Sequence, residues 1–122
     1  MEADRRRHTR IRTRIPASLR PFIPWSPGHP SNSEGIIHNL GVGGAQVFTD
    51  VLLPANTGLF LQFNLLGGAQ SDRAHGRVVE ILPSGNRYLL SVVFTEVNQK
   101  LLQAIEDFVL TSTPNESQKL LL

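Results

Sequence analysis

The chain has 122 residues, of which 40% are hydrophobic and 18% are charged, as is typical of a single globular domain with one core. No apolar run approaches the roughly 18 to 20 residues of a membrane-spanning helix, and no apolar signal core follows the basic N-terminus, so we expect a cytoplasmic protein without membrane insertion. The absence of cysteine excludes disulfides, thiol nucleophiles and thiolate metal sites.

The first predicted region is a flexible, arginine-rich arm over residues 1–10. Seven of the chain's 12 basic residues fall within the first twenty positions, and all seven are arginines. Because the rest of the chain is mildly acidic, this distribution favours an anionic partner for the arm, such as phosphate, nucleic acid or a membrane surface. The alternative interpretation is a solvated, disordered tail.

The segment RIRTRIPASL begins the predicted domain, which we place at residues 11–110. From Ile11 onward, apolar or small residues alternate with arginine, proline and serine, and this period of two predicts a half-buried strand. Pro16 within it indicates an edge position or a bulge. Prolines then recur every third residue over residues 21–30, which predicts a stiff loop or, alternatively, a docking ligand centred on Trp25.

The following segments predict further short strands. IIHNL and AQVF flank the turn GVGG, LFLQFNLL ends at a pair of glycines, and RAHGRVVEIL and RYLLSVVF flank the turn PSGN. Regular short strands of this kind predict a barrel or a sandwich.

The apolar period changes to that of a helix in NQKLLQAIEDFVL. Five apolar residues form one helical stripe there: Leu101, Leu102, Ile105, Phe108 and Val109. Asn98 is a suitable N-cap, and we expect the stripe to close one end of the β structure. Residues 111–122 show no such period and are interpreted as a C-terminal tail.

The chain shows no pattern of a catalytic or metal site. Its four histidines are scattered without metal-ligand spacing, no close carboxylate pair is present, and neither a nucleophile elbow nor a Walker sequence occurs. The sequence therefore predicts a binding protein, not an enzyme, with no cofactor and no metal.

Two motifs suggest what is bound. A guanidinium can bind phosphate or the O6/N7 edge of guanine in a bidentate manner, which suits the arginine arm to a guanine nucleotide. In HNLGVGGAQV, Asn39 can offer a carbonyl oxygen to the N1–H/N2–H edge of guanine. The glycines that follow leave the backbone N–H groups unobstructed.

In this order the two motifs resemble those of the PilZ domain, whose pattern is R-x-x-x-R before the first strand and then [DN]-x-S-x-x-G. Arg6 and Arg10 supply the first motif, although Arg10 and Arg14 form a competing frame, and residues 39–44 supply the second. The resemblance implies an all-β fold, a six-stranded antiparallel β-barrel with a C-terminal α-helix, and a receptor for the bacterial second messenger cyclic di-GMP, of the kind that controls motility and biofilm formation.

The resemblance also implies the roles of individual residues. Arg6 and Arg10 would bind phosphate and the outer edge of guanine, Asn39 would bind its polar edge, and Gly44 would let the backbone approach. Arg5 would help to hold a stacked pair of ligands in place of one molecule. Gly41 stands where the family has serine, which should weaken binding. The possible accessory residues are Arg7, His8 and Gly43, whereas Arg12 and Arg14 are interpreted as solvated.

Three functions remain open at this point. In the first, ligand binding orders the arm and creates a surface for an unidentified effector protein. In the second, the chain is a pilus- or motility-related adaptor that has lost nucleotide binding. In the third, it is a small nucleic-acid-binding barrel; we expect no DNA partner, because the six phenylalanines mostly occupy predicted core positions.

Overall fold

The structure is a computed structural model that describes residues 10–22, 33–65 and 72–121. Within these residues the chain forms six antiparallel strands and one helix. The elements are β1 Arg10–Pro21, β2 Ser33–Gly41, β3 Gly44–Thr49, β4 Gly58–Phe63, β5 Asp72–Ser84, β6 Arg87–Glu96 and α1 Gln99–Leu121. The strands close into a barrel in the order β1-β2-β3-β6-β5-β4, which confirms the predicted fold class.

The alternation of β1 is confirmed. Its arginines and Pro16 are exposed, and the residues between them are half-buried or buried. A register shift between Arg12 and Ile15 marks a bulge in the pairing with β2, and pairing with β4 begins only at Ala17. Pro16 therefore lies where its missing N–H is tolerated, and the first half of β1 has no partner in β4.

The core fills the barrel and extends to the helix. Leu19, Ile37, Leu61 and Leu90 are fully buried inside the barrel, and Leu101, Ile105 and Val109 of α1 join the same cluster. Asn98 caps α1, since its Oδ1 accepts a hydrogen bond from the backbone N–H of Leu101 at 2.7 Å. Both the apolar stripe and the predicted N-cap are confirmed.

The helix is longer than the sequence indicated. Residues 111–122 were assigned to a tail, whereas α1 continues to Leu121. Within the extended helix, the hydroxyl of Thr111 donates to the backbone carbonyl oxygen of Asp107 at 2.9 Å. Adding residues to an existing helix costs much less than starting one, so the extension needs no apolar stripe. No helix in the described part of the chain is both long and apolar enough to cross a membrane.

The expectation that the phenylalanines mostly lie in the core holds for three of the six. Phe63 is buried, and Phe94 and Phe108 pack against the core, but Phe22 is 46% exposed. Phe48 and Phe60 are half-buried and point outward, because each lies between two inward-facing neighbours on its strand. The hydrophobicity of a residue does not determine its face in a strand; its position in the alternation does. Trp25 and most of the predicted proline-rich loop lie outside the described residues.

Candidate functional site

The pairing of β1 with β2 brings the two sequence motifs together. Arg10, the second arginine of the first motif, is the Cα partner of Gly41, and Arg12 is the partner of Asn39. Arg10 is exposed at the beginning of β1. Segments about thirty residues apart in sequence therefore meet at one end of the barrel. The remaining predicted residues of the arm, Arg5, Arg6, Arg7 and His8, lie outside the described residues.

The glycine turn between β2 and β3 is held by β6. The backbone N–H of Phe94 donates to the carbonyl oxygen of Gly43 at 2.9 Å, and Gly43 is exposed while Gly41 is buried. A Cβ atom at Gly44 would collide with the carbonyl oxygen of Val92. Close packing against β6 therefore explains the glycine at position 44, and its role in ligand approach stays a prediction.

Asn39 belongs to a chain of side-chain hydrogen bonds across three strands. Its Nδ2 donates to Oε1 of Gln46 at 2.6 Å, and Nε2 of Gln46 donates to Oγ of Ser91 at 3.2 Å. The register explains the contacts, because Asn39 pairs with Gln46 and Gln46 pairs with Ser91. With Arg12 opposite Asn39, the four residues form what we call the polar row on the outer face of the barrel.

One atom of the polar row is left without a partner. Among the described residues, Oδ1 of Asn39 is buried and accepts no hydrogen bond. A buried acceptor in this condition costs about 1 to 3 kcal/mol. The asparagine that the sequence singled out therefore holds an acceptor that an N–H donor would stabilise.

Sequence reasoning missed two members of the polar row. Gln46 and Ser91 were not considered, whereas Arg12 is exposed on β1 as predicted. A signal was available for Gln46, since a polar residue between the inward-facing Ala45 and Val47 must lie on the outer face. The pairing with Asn39 could not be predicted, because a register shift in β2 between Ile37 and Asn39 changes which residues face each other.

A second outward cluster lies on β4, β5 and the end of β1. The ring centroids of Phe22 and Phe60 are 4.7 Å apart, those of Phe60 and His75 are 4.8 Å apart, and the guanidinium of Arg73 lies 4.6 Å from the centroid of Phe60. Nδ1 of His75 lies 3.3 Å from a carboxylate oxygen of Glu96. We call Phe22, Phe60, Arg73 and His75 the aromatic cluster.

A groove lies away from the two motifs, and no metal site is found among the described residues. The groove has a volume of about 460 Å³ and is lined by residues of β1, β2, β3 and β4 and by Arg87; it includes Glu34 and Phe48 but neither Arg10 nor Asn39. Within residues 10–22, 33–65 and 72–121, no group of three or more histidine or acidic side chains could hold a metal ion.

A comparison with known protein families shows which family the chain belongs to. The model of the PilZ domain matches residues 4–111. The chain belongs to the PilZ family. The resemblance seen in the two motifs is thereby confirmed at the level of the family, and a comparison with curated protein sequences finds no match.

Solved structures of PilZ proteins share the fold. The Bacillus subtilis inhibitor of motility MotI/DgrA matches with a TM-score of 0.73 and 14% identity, over 90% of this chain and 52% of that one. Escherichia coli YcgR in complex with c-di-GMP matches with a TM-score of 0.69 and 15% identity, over 94% and 49%. The PilZ domain of YcgR with c-di-GMP matches with a TM-score of 0.65 and 14% identity, over 94% and 96%.

The lengths of these proteins differ. This PilZ chain spans about half the length of MotI/DgrA and of the YcgR chain, and nearly all of the isolated YcgR PilZ domain. At these identities the likeness concerns the fold.

Proposed function

We propose that this PilZ chain is a receptor for cyclic di-GMP. The observation that supports it best is the pairing of Arg10 with Gly41 and of Arg12 with Asn39, because it joins arginine groups to the asparagine-containing turn in one place. The structures of Escherichia coli YcgR and of Klebsiella pneumoniae MrkH, which share the fold, contain c-di-GMP. The ligand of these proteins is chemically suited to the groups that meet here.

The proposal assigns a contact with the ligand to each arginine of the first motif and to Asn39. Arg10, together with Arg6, binds phosphate and the outer edge of guanine through charge-assisted, bidentate hydrogen bonds. Oδ1 of Asn39 accepts from the N1–H/N2–H edge of guanine. Gly41 lacks the serine hydroxyl of the family pattern, and one neutral hydrogen bond is worth about 0.5 to 1.5 kcal/mol, so the substitution weakens binding without abolishing it.

Arg12 adds a third guanidinium to this site. Residues directly opposite in an antiparallel pair have Cβ atoms about 4.5 to 5.5 Å apart, and Arg12 lies opposite Asn39. Its long side chain can therefore reach a phosphate of a ligand whose base lies at Asn39.

In this proposal the arm also relays the signal. A ligand held by Arg6 and Arg10 on one side and by the turn on the other fixes the arm against the barrel. The ordered arm then presents a surface to an effector protein. Arg5, just ahead of the motif, would let the site hold a stacked pair of cyclic di-GMP molecules.

Isothermal titration calorimetry with cyclic di-GMP tests the proposal. We expect binding with a stoichiometry of one or two, and we expect the double variant Arg6→Ala with Arg10→Ala to abolish it. The double variant Arg73→Ala with Arg77→Ala removes the same charge from β5 and should bind like the natural chain. Absence of binding at high micromolar ligand would contradict the proposal.

A second candidate function is a PilZ adaptor that binds a protein and no nucleotide. Gly41 favours it, because the family's hydroxyl contact is missing there. In that case the natural chain and the Arg6/Arg10 double variant behave alike toward cyclic di-GMP, since neither binds it.

A further inference from the structure

Gln46 lies between two side chains of the polar row and touches both. Its Oε1 accepts from Nδ2 of Asn39, and its Nε2 donates to Oγ of Ser91. Strand register holds the three residues side by side, because Gln46 pairs with Asn39 on β2 and with Ser91 on β6. The three residues therefore form a chain of hydrogen bonds with a direction, and Asn39 is at its end.

The direction of this chain decides which atom of the Asn39 amide remains available. The amide carries an acceptor oxygen on one side and a donor nitrogen on the other. Because Nδ2 is engaged by Gln46, the oxygen is left, and it has no partner among the described residues. With the opposite direction, from the Ser91 hydroxyl through Gln46 to Asn39, the nitrogen would be left instead.

The two directions suit different purines. Guanine presents the N1–H and N2–H donors on its polar edge, and an oxygen at residue 39 can accept from them. Adenine has an acceptor at N1 where guanine has the N1–H donor, and its only donor on this edge is the N6 amino group, so an oxygen placed to accept from N1–H and N2–H would face the N1 lone pair of adenine, whereas an NH₂ group at residue 39 would donate to it. A site that holds buried polar groups in one fixed arrangement discriminates against the partner that leaves them unpaired.

We propose that Gln46, by accepting from Nδ2 of Asn39, is a positioning residue that keeps the oxygen of Asn39 available and so selects guanine over adenine. The inference rests on the proposed function, because it assigns the base selectivity of the same site. Because Oδ1 of Asn39 is buried, a guanine base can reach it only after the atoms that cover it move aside. The cost of its missing hydrogen bond favours that movement.

Substitution of Gln46 by leucine tests the role while keeping a side chain of similar size. We expect Gln46→Leu to lower the affinity for cyclic di-GMP about two- to twelvefold, the value of one neutral hydrogen bond, and not to lower that for cyclic di-AMP. Ser91→Ala should give a smaller fall in the ratio of the two affinities. Gln62→Leu makes the same change at an exposed position of β4 and should leave the ratio unchanged.

Repeating the Gln46→Leu substitution in an Asn39→Asp chain separates an effect on the orientation of residue 39 from a general loss of binding. In an Asn39→Asp chain, residue 39 presents an acceptor oxygen whichever way it rotates, so Gln46→Leu should change the ratio by less than about twofold in a double-mutant cycle. An equal fall in both backgrounds would overturn the inference. An unchanged ratio for Gln46→Leu alone would overturn it too.

Side-chain amide NMR tests the orientation without nucleotide. One Nδ2 proton of Asn39 should be protected from exchange with water, and Gln46→Leu should remove that protection while Gln62→Leu should not. Freely exchanging Asn39 protons in the natural chain would refute the role of Gln46 whether or not nucleotide binds. Protected protons in a chain that binds no cyclic di-GMP would instead refute the proposed function.

Discussion

The barrel carries two outward-facing clusters, the aromatic cluster and the polar row, which differ in whether a buried polar atom is left without a hydrogen bond. In the aromatic cluster, Phe60 contacts Phe22, His75 and Arg73, and Glu96 engages His75. In the polar row, the hydrogen bonds run from Asn39 to Ser91 and leave Oδ1 of Asn39 without a partner among the described residues. Among the described residues, the polar row therefore contains a buried polar atom without a hydrogen bond, and the aromatic cluster contains none.

The difference favours the polar row as the ligand site of the proposed function. Edge-to-face rings and a cation over a ring stabilise the surface they cover, and Phe60 already makes such contacts with Phe22, His75 and Arg73. A buried acceptor without a donor lowers stability, and a ligand that supplies the donor recovers the loss. We therefore expect substitutions in the polar row to change affinity and substitutions in the aromatic cluster to change stability.

The largest effect is expected for Arg10→Ala. A charge-assisted hydrogen bond is worth about 1.5 to 3 kcal/mol, so the affinity for cyclic di-GMP should fall at least about tenfold, as measured by calorimetry. Arg73→Ala removes an arginine from the aromatic cluster and should change the affinity less than about twofold. Equal losses for the two variants would mean that net charge, and not the site, attracts the ligand.

The next largest effect is expected for Phe60→Ala, which should change the stability of the fold and not the affinity for the ligand. Full burial of a phenylalanine contributes about 1.5 to 3 kcal/mol, and Phe60 is half-buried, so Phe60→Ala should lower the free energy of unfolding by about 0.8 to 1.5 kcal/mol. Urea denaturation measures this loss. The affinity of the folded variant for cyclic di-GMP should be unchanged, and a weakened affinity would move the ligand to the aromatic cluster.

A smaller effect, in the opposite direction, is expected for Gly41→Ser. Among the described glycines, a positive φ occurs at Gly85 and not at Gly41, so serine can adopt the backbone conformation. Restoring the hydroxyl should raise the affinity about two- to twelvefold, as measured by calorimetry. Unchanged affinity would show that the ligand does not approach residue 41.

The smallest effect distinguishes two neighbouring arginines. Arg12 lies opposite Asn39, whereas Arg14 lies within the register shift of β1. Arg12→Ala should weaken cyclic di-GMP binding about two- to fivefold, because exposed ion pairs contribute up to about 1 kcal/mol. Arg14→Ala should have no effect on the affinity. Titrations at low and high salt should show the difference shrinking as salt rises.

Alternation and capping made most of the fold predictable. The period of two located β1, the turns located the other strands, and Asn98 with the apolar stripe located α1. The continuation of α1 beyond residue 110 was missed because helix propagation needs no apolar pattern. The outward position of Phe60 was missed because hydrophobicity was given more weight than the alternation of its neighbours Leu59 and Leu61.

The motifs of the site could be predicted from the sequence, but the residues that lie opposite each other on neighbouring strands could not. Arg10, Asn39 and the glycine turn could be recognised from residue type and order. Their alignment depends on register shifts in β1 and β2, and a shift of one residue reverses which face a side chain occupies. For that reason the sequence did not connect Asn39 to Gln46.

An NMR titration of the natural chain with cyclic di-GMP tests the central claim most directly. The amide resonances of Gly41, Gly43 and Gly44 should shift together with that of Arg10, because these residues surround the proposed site. Gly58, which lies beneath the ring of Phe22, should not shift. Shifts at Gly58 with an unchanged glycine turn, or no shifts at all, would contradict the account.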